Sequence, residues 1–441
     1  MTTPAAAATA PADDLGDALP ARAVVDLDAV AANAGVLRER AAGAAVMAVV
    51  KADGYGHGMV PCARAALAGG ATWLGVAHLA EALELRAAGV AAPVLAWLVV
   101  PGQDLAPAVA ADVDLSASAV WAVEALVDAA RRTGRTARVH LKVDTGLSRG
   151  GATAQDWPDV VRVAAAAQAE GALEVVAVWS HLASADDEAS DALTLAQVER
   201  LHDAVDVAAR LGVRPPLRHL AASSGLLAHP SARLDLVRPG VAVYGVSPAP
   251  ERFSSADLGL VPAMSLRARL ALVKEVGPGE GVSYGHHHVT AGRTHLALVP
   301  LGYGDGLPRH ASGRGPVALR GRRYAVAGRV CMDQVVLDLG GDDAARAARA
   351  GDEVEVFGTG ADGGPTAQDW ADAAGTIAYE VVTRIGARVP RVHVGAAGVV
   401  GTAAGVLVTA DGTTVTADGT TVTADGATVT AAGPGPSAGR A

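Results

Sequence analysis

The sequence predicts an α/β protein, a (β/α)8 TIM barrel followed by a mostly β C-terminal domain, on two observations. Strand-length apolar runs recur between residues 46 and 243 with alanine-rich helical patterns between them, and their count of eight is that of a closed (β/α)8 barrel. Beyond about residue 250 helical periodicity fades, and short β-type runs broken by Gly and Pro take over. A doubly wound sheet also accounts for the first observation and stands as the alternative. A chain of 441 residues has material for two domains around a large buried core.

Taken in order, residues 1–21 are an alanine-rich, acidic arm without a basic start or a long apolar run, expected to be disordered rather than a signal segment. Residues 23–27 read as a strand, with 22–27 a candidate to join the C-terminal domain. Asp28 is placed to cap a helix running to about Arg40. Barrel strands are expected at 46–50, 73–77, 94–98, 113–116, 138–143, 174–180, 217–221 and 235–243, with helices such as 81–88 and 119–132 between them. The barrel is thereby assigned to 22–250. Residues 251–395 form the β domain, with strands at 268–275, 294–300, 316–319, 335–339 and 353–357 and a helix at 368–374. The tail, 396–441, repeats Thr409-Ala-Asp-Gly-Thr-Thr-Val415 at 416–422 and, with one change, at 423–429. One valine per seven residues makes no coiled-coil seam. Asp-Gly turns would allow loose hairpins, but so little apolar surface favours disorder.

Net charge is −10 and the basic residues are scattered, so neither a nucleic-acid stripe nor a membrane-binding face is present. Cys62 and Cys331 make no disulfide framework, and the apolar runs are too short to span a bilayer. These features describe a cytoplasmic enzyme whose partner is a small molecule.

The stretch Val46-Met-Ala-Val-Val-Lys51-Ala-Asp-Gly-Tyr55-Gly-His-Gly58 delivers a lysine from a strand into a glycine-rich turn. Lysines occur only at 51, 142 and 274 in a chain with 36 Lys and Arg residues. A lysine amine, with a reference pKa of about 10.4, can be lowered by burial or a nearby cation until it attacks a carbonyl, whereas guanidinium keeps its proton. Lys51 is therefore the candidate Schiff-base lysine. The glycine spacing does not match the G-x-G-x-x-G dinucleotide fingerprint. A solvated lysine at a strand end is the plain alternative. Opposite Lys51, Ser223 follows the seventh strand, and Gly240 in Arg238-Pro-Gly-Val241 allows a close backbone approach to an anion. A lysine facing a phosphate cradle across a barrel mouth points to pyridoxal 5'-phosphate. Taken alone, Ser223 and Gly240 are ordinary turn residues.

Seven motifs then stand in one order: the Lys51 stretch; Lys142-Val-Asp-Thr-Gly-Leu-Ser-Arg149; Ser180-His181-Leu-Ala-Ser-Ala-Asp186; Val237-Arg238-Pro-Gly-Val-Ala-Val-Tyr244; Val282-Ser-Tyr284-Gly; Gly302-Tyr303-Gly-Asp305; and Gly328-Arg-Val-Cys331-Met332-Asp333. Over residues 22–394 the series resembles the alanine racemase family. The resemblance implies a pyridoxal-phosphate-dependent isomerase, a head-to-tail homodimer with shared active sites, that interconverts L- and D-alanine and supplies D-alanine for peptidoglycan. It makes Lys51 both the cofactor lysine and one catalytic base, and Tyr284 of the second subunit the other. Racemisation takes a proton from one face of the α-carbon and returns one to the other, which requires a base on each side. By the same resemblance His181 lies beside the tyrosine and Arg238 beyond it, facing the pyridine nitrogen. Tyr55, Ser223, Gly240, Val241 and Tyr379 match phosphate-binding positions. Arg149 and the Met332 backbone match the substrate-carboxylate grip, Lys142 a lysine often carbamylated, and Tyr303 a residue narrowing the entrance. Ala222 departs from the family's usual asparagine, and the repeat tail lies outside the pattern.

A broad-specificity amino-acid racemase on the same scaffold is the nearest rival, since pocket volume is poorly encoded in the sequence. A non-catalytic pyridoxal-phosphate carrier would not need the β domain, Tyr284 or the Met332 motif, and a decarboxylase on a related barrel would be expected to carry an acid in place of Arg238. His286-His287-His288, read as a strand, would point alternately to opposite faces and so could not all bind one metal ion. Cys331 lacks the histidine-plus-acid context of a nucleophile and reads as a buried thiol at a pocket edge.

Overall fold

The computed structural model describes residues 19–395 together with 406–408, 414–416, 421–422 and 428–429. These fall into two compact units, one running from Asp28 to Pro262 and the other joining the chain up to Leu27 with the chain from Ala263.

In the first unit, eight parallel strands close a barrel: β2 (Ala45–Val49), β3 (Trp73–Val76), β4 (Val94–Ala96), β5 (Asp114–Ala117), β6 (Ala137–Lys142), β7 (Leu173–Trp179), β8 (Leu217–Ala222) and β9 (Leu236–Arg238). Closure comes from β2 pairing with β9 at Ala45↔Leu236 and Val46↔Val237. An open doubly wound sheet is thereby excluded. The strands are mostly apolar because the barrel interior is packed on one side and the helices on the other, as parallel sheets require, with β6 (ARVHLK) and β8 (LRHLAA) the main exceptions. Met47, Leu95 and Leu236 form a fully buried interior cluster with Trp73 and Trp97 against it.

The eighth strand is shorter than expected. The run 235–243 yields only three strand residues, because Pro239 offers no N–H to a ladder, and Val241–Tyr244 then coil into a 3-10 turn. The segment after it still belongs to the barrel unit, so the division falls at Pro262 rather than near 250. Asn33 fastens that segment: its side chain accepts from the Val261 amide at 2.9 Å and donates to the Val261 and Val243 carbonyls. The helix expected to be capped by Asp28 instead starts one residue earlier, at Leu27, and Asp28 sits in its first turn.

In the second unit, β1 (Ala21–Asp26) lies between β10 (Met264–Arg269), antiparallel, and β19 (Arg391–Val394), parallel. Ala21, the last residue of the expected arm, therefore opens a strand, while residues 1–18 of that arm lie outside the described residues. The expected single strand at 268–275 is two, β10 and β11 (Leu272–Val276), in different sheets. Further strands are β12 (Gly281–Val282), β13 (His288–Val289), β14 (Thr294–Val299), β15 (Pro316–Leu319), β16 (Arg322–Ala325), β17 (Val335–Asp338) and β18 (Glu353–Phe357). The three histidines are not one strand: His286 ends a tight turn at φ 47°, and only His288 enters β13, where its Nε2 meets Asp338 at 2.8 Å. In the tail, the described residues are short strands at Val406–Val408, Thr414–Thr416, Thr421–Val422 and Thr428–Val429, paired antiparallel in succession from β19. The turns that would join these strands, with the rest of 396–441, lie outside the described residues. Among the described residues no helix is long and apolar enough to cross a membrane.

Candidate active site

In the barrel unit, the residues singled out in the sequence gather at the C-terminal ends of the strands, where barrel enzymes carry their sites. Lys51 follows β2 directly, and the next four residues, Ala52 to Tyr55, all take left-handed conformations with φ between 52° and 60°. Three of the four are not glycine, so the turn carries strain that its surroundings must offset. Glu81 does part of this, accepting from the amides of Ala52 at 2.7 Å, Ala77 at 2.8 Å and His78 at 2.9 Å. Asp53 accepts from the Met59 amide at 2.8 Å. Within the turn the Tyr55 ring packs against Tyr244, whose hydroxyl donates to the Val49 carbonyl.

The Lys51 amine lies 5.6 Å from the Trp97 ring centre and 5.8 Å from that of Tyr55. Burial, then the positive charges of Arg149 and Arg238, hold its pKa below the ordinary lysine value against an opposing pull from Glu81. A lysine so placed loses its proton more readily than a solvated one. The Lys142 amine sits 4.4 Å above the Trp179 ring, and burial, Arg238 and Arg149 lower it to about 8. Among the described residues no carboxylate pairs with it.

Tyr55 also reaches the opposite rim. A Cβ on Gly240 would lie 2.3 Å from the Tyr55 hydroxyl, so only glycine lets these two meet. The Gly240 amide donates to the Ser223 hydroxyl at 2.9 Å and the Ala242 amide to the same oxygen at 3.4 Å. The Tyr55 and Ser223 hydroxyls, with the Gly240 and Ala242 amides turned toward the Ser223 oxygen, thus form a compact polar set of the kind that holds a phosphate, and Tyr55 bridges it to the lysine. Ala222, at the end of β8, offers this loop no hydrogen-bonding side chain, and Ser223 follows it.

Arg238 is buried at 4% exposure and, among the described residues, pairs with no carboxylate. One terminal nitrogen donates to the carbonyls of Ser180 at 2.8 Å and Leu220 at 2.9 Å and to His181 Nδ1 at 3.1 Å; the other donates to His219 Nδ1 at 2.8 Å. Burial lowers its pKa to about 9, which leaves it a cation at neutral pH. His181 is held neutral, its pKa brought down to about 3 by burial and then by Arg238, Arg149, Lys142 and Lys51. Because guanidinium can only donate, the His181 proton belongs on Nε2.

The other named residues belong to the second unit. Tyr284 is 70% exposed in the turn after β12, Met332 52% and Tyr303 41%. Backbone bonds tie Tyr303 to Cys331 at 2.9 Å and Gly304 to Met332 at 2.8 Å, and the Ser283 hydroxyl donates to the Arg329 carbonyl while lying 3.3 Å from the half-buried Cys331 sulfur. Tyr284, Tyr303 and Met332 therefore belong to loops fastened to one another. Tyr379 is half-buried on the helix Ala378–Thr383 of the same unit. Among the described residues no cluster of His, Cys, Asp or Glu has the makings of a metal site.

Sequence reasoning missed several residues. Glu81 lies 29 residues from the turn it supports. Trp179 stacks on His219 with ring centres 5.3 Å apart and lies under Arg238 at 4.8 Å, yet it reads as one more apolar strand residue. His219 and His140 sit in apolar strands without local motifs. Gln197, from the helix Asp191–Arg210, accepts from the Ala183 amide and donates to the His181 carbonyl and to Thr145, joining two site loops.

Comparison with known proteins finds one family along both units. Residues 25–248 match the family model of the alanine racemase N-terminal domain, and residues 263–393 that of the alanine racemase C-terminal domain. The chain is 58% identical over 379 residues to an alanine racemase of Frankia casuarinae, covering 86% of this chain and 97% of that one. A relative of the same name in Thermobifida fusca is 57% identical over 377 residues, covering 85% and 98%. Among solved structures, alanine racemase from the D-cycloserine-producing Streptomyces lavendulae superposes with a TM-score of 0.83 at 54% identity, covering 86% of this chain and 97% of that one. The Streptomyces coelicolor enzyme gives 0.84 at 54%, covering 87% and 100%.

Proposed function

The chain belongs to the alanine racemase family, and from that premise we propose that it interconverts L- and D-alanine with pyridoxal 5'-phosphate, using Lys51 and Tyr284 as its two bases. The observation that carries this reading is Lys51 itself: an amine whose proton is loosened by burial and two arginines, bridged by Tyr55 to a glycine-lined set of phosphate-type donors. That donor set fits the cofactor. When bound, pyridoxal phosphate withdraws electrons from the substrate α-carbon and so acidifies its proton.

The rest follows from this chain's own groups. Tyr55, Ser223, Gly240, Val241 and Tyr379 hold the phosphate. Arg238, a donor that keeps its proton, would offer an N–H to the ring nitrogen of the bound cofactor and so weaken the ring as an electron sink, which would favour return of the proton to the α-carbon over transamination. Lys51 Nζ carries the proton on one face. Tyr284 from the partner subunit carries it on the other, with neutral His181 beside it as a donor at Nε2. Arg149 grips the substrate carboxylate with its planar fork, and the partner's Met332 amide completes the grip. Lys142, with a pKa of about 8, is partly neutral at neutral pH and so open to carbamylation, which would turn a charge that repels Arg149 into one that steadies it. Tyr303 narrows the entrance. The working form is a cytoplasmic homodimer that supplies D-alanine for peptidoglycan. A large exposed tyrosine, a methionine and a second tyrosine on linked loops are the kind of surface a partner subunit covers.

The test is turnover of L-alanine in heavy water with cofactor-loaded protein, following D-alanine and α-deuteration. Absence of D-alanine would overturn the reading. Parallel runs with L-serine and L-lysine decide substrate breadth, and faster turnover of lysine than alanine would favour a broad-specificity racemase.

A further inference from the structure

Behind Arg238 a single file of buried side chains crosses four strands of the barrel. Its outer terminal nitrogen donates to His219 Nδ1 at 2.8 Å; His219 Nε2 lies 2.9 Å from His140 Nδ1; and His140 Nε2 lies 3.0 Å from Asp114 Oδ2. His140 and His219 are fully buried, and Asp114 is 1% exposed. Trp179 stacks on His219 and Trp73 meets His140 edge-on, so each imidazole packs against an indole.

Chemistry permits one proton arrangement. Guanidinium donates only, so His219 Nδ1 accepts and its proton sits on Nε2. That proton faces His140 Nδ1, which must accept, so the His140 proton sits on Nε2 and points at the Asp114 carboxylate. An extra proton on either ring would set two donors against each other. The file therefore runs from a cation through two neutral, aligned imidazoles to an anion, each bond polarising the next. Among the described residues no carboxylate pairs directly with Arg238, and a buried charge without compensation is costly. Asp114 is the nearest anion that its hydrogen bonds lead to. At the outer end Asp114 also receives Arg138, at 2.7 Å, and Arg138 pairs with Glu174 at 2.8 Å, so the two cations and two anions of the whole assembly cancel.

We propose that Asp114 is the counter-ion of Arg238, coupled to it through His140 and His219, and is thereby a positioning residue for the guanidinium that faces the cofactor ring. The last clause rests on the function proposed above; the coupling does not. Electrostatics are consistent with it. Burial would raise the Asp114 carboxyl, yet His140 and Arg138 bring it below the ordinary value, and burial with the Arg238 charge keeps His219 well below the ordinary histidine value.

The test begins with the unaltered protein. Nitrogen-15 NMR of its histidine side chains, with and without pyridoxal phosphate, should show His140 and His219 protonated at Nε2 and bare at Nδ1, with assignment from the single variants His140→Gln and His219→Gln. A proton on Nδ1 of either ring overturns the proposal. In Asp114→Asn, the amide cannot accept from both Arg138 and His140, so its nitrogen turns to one of them. The holoenzyme should then show a changed tautomer at His140 or His219 and a kcat roughly tenfold lower, with KM within about twofold. Glu174→Gln, at the outer end, should leave both readouts unchanged. Wild-type tautomers and kcat in a folded Asp114→Asn protein overturn the proposal. If that variant does not fold, the spectrum of the unaltered protein decides. Failure of racemisation in the wild type, with the expected tautomers present, would instead sink the cofactor reading and leave the coupling standing.

Discussion

Lys51 and Lys142 feel the same two arginines, and the pH response of each follows from that. For an unmodified Lys142, with a folded value of about 8 against about 10.4 when unfolded, the unfolded chain holds the extra proton between those limits. Stability therefore rises as pH goes from about 8 to about 10. Denaturant titrations across that window should show the rise in the wild type and not in Lys142→Met. Added bicarbonate should flatten the wild-type curve if the amine is carbamylated. His181 works in the acid range: with a folded value of about 3, it loses stability to the fold as pH drops from about 6.5 toward 3, and His181→Gln should lack that component. Its neutrality also means that kcat/KM should carry no His181 titration between pH 5 and 8. Replacing Arg238 with Glu should raise side transamination relative to racemisation; unchanged partitioning would count against its role at the ring nitrogen. The chemical identities of these residues were legible in the sequence through motif spacing. Their charge states were not, because burial and the distances between arginines and lysines exist only in the folded barrel.

Two elements carry the site, the left-handed turn after β2 and the loop after β9. Glu81 anchors the first through three backbone amides, so Glu81→Ala should cost about 1–3 kcal/mol in denaturant unfolding and weaken cofactor retention through the Lys51 turn. Unchanged retention would show that the turn holds itself. The second depends on the absent side chain of Gly240. Gly240→Ala should weaken pyridoxal-phosphate binding at least tenfold in a spectrophotometric titration; an unchanged affinity would show that the Tyr55 hydroxyl gives way to the added methyl group. Strand positions in the barrel were readable from apolar runs. The last strand was over-read because valines on both sides of Pro239 and Gly240 look continuous, although a proline there ends the ladder.

For the whole molecule, the two proposed bases, Lys51 and Tyr284, belong to different compact units, and the proposed shared active site makes a sharp demand on assembly. Lys51→Ala and Tyr284→Phe should each be inactive alone. Co-refolded in equal amounts, they should regain about a quarter of wild-type activity, since half the dimers are mixed and each mixed dimer holds one intact site. No recovery, with mixed dimers verified by mass, would remove Tyr284 from the partner's role. The two-unit organisation itself crosses the chain: β1 precedes the barrel yet lies between β10 and β19.

The sequence by itself determined the fold class, the motif order and the chemical types at the site, because apolar periodicity, proline and glycine act locally and survive in one dimension. Tertiary structure alone decided which side chains complete the site. Glu81 beneath the Lys51 turn, Trp179 beneath Arg238, and the file His219–His140–Asp114 come from strands and helices distant along the chain, where each reads as an ordinary residue. Closing the barrel brings them within hydrogen-bonding distance, and in a dry interior those bonds fix where each proton resides.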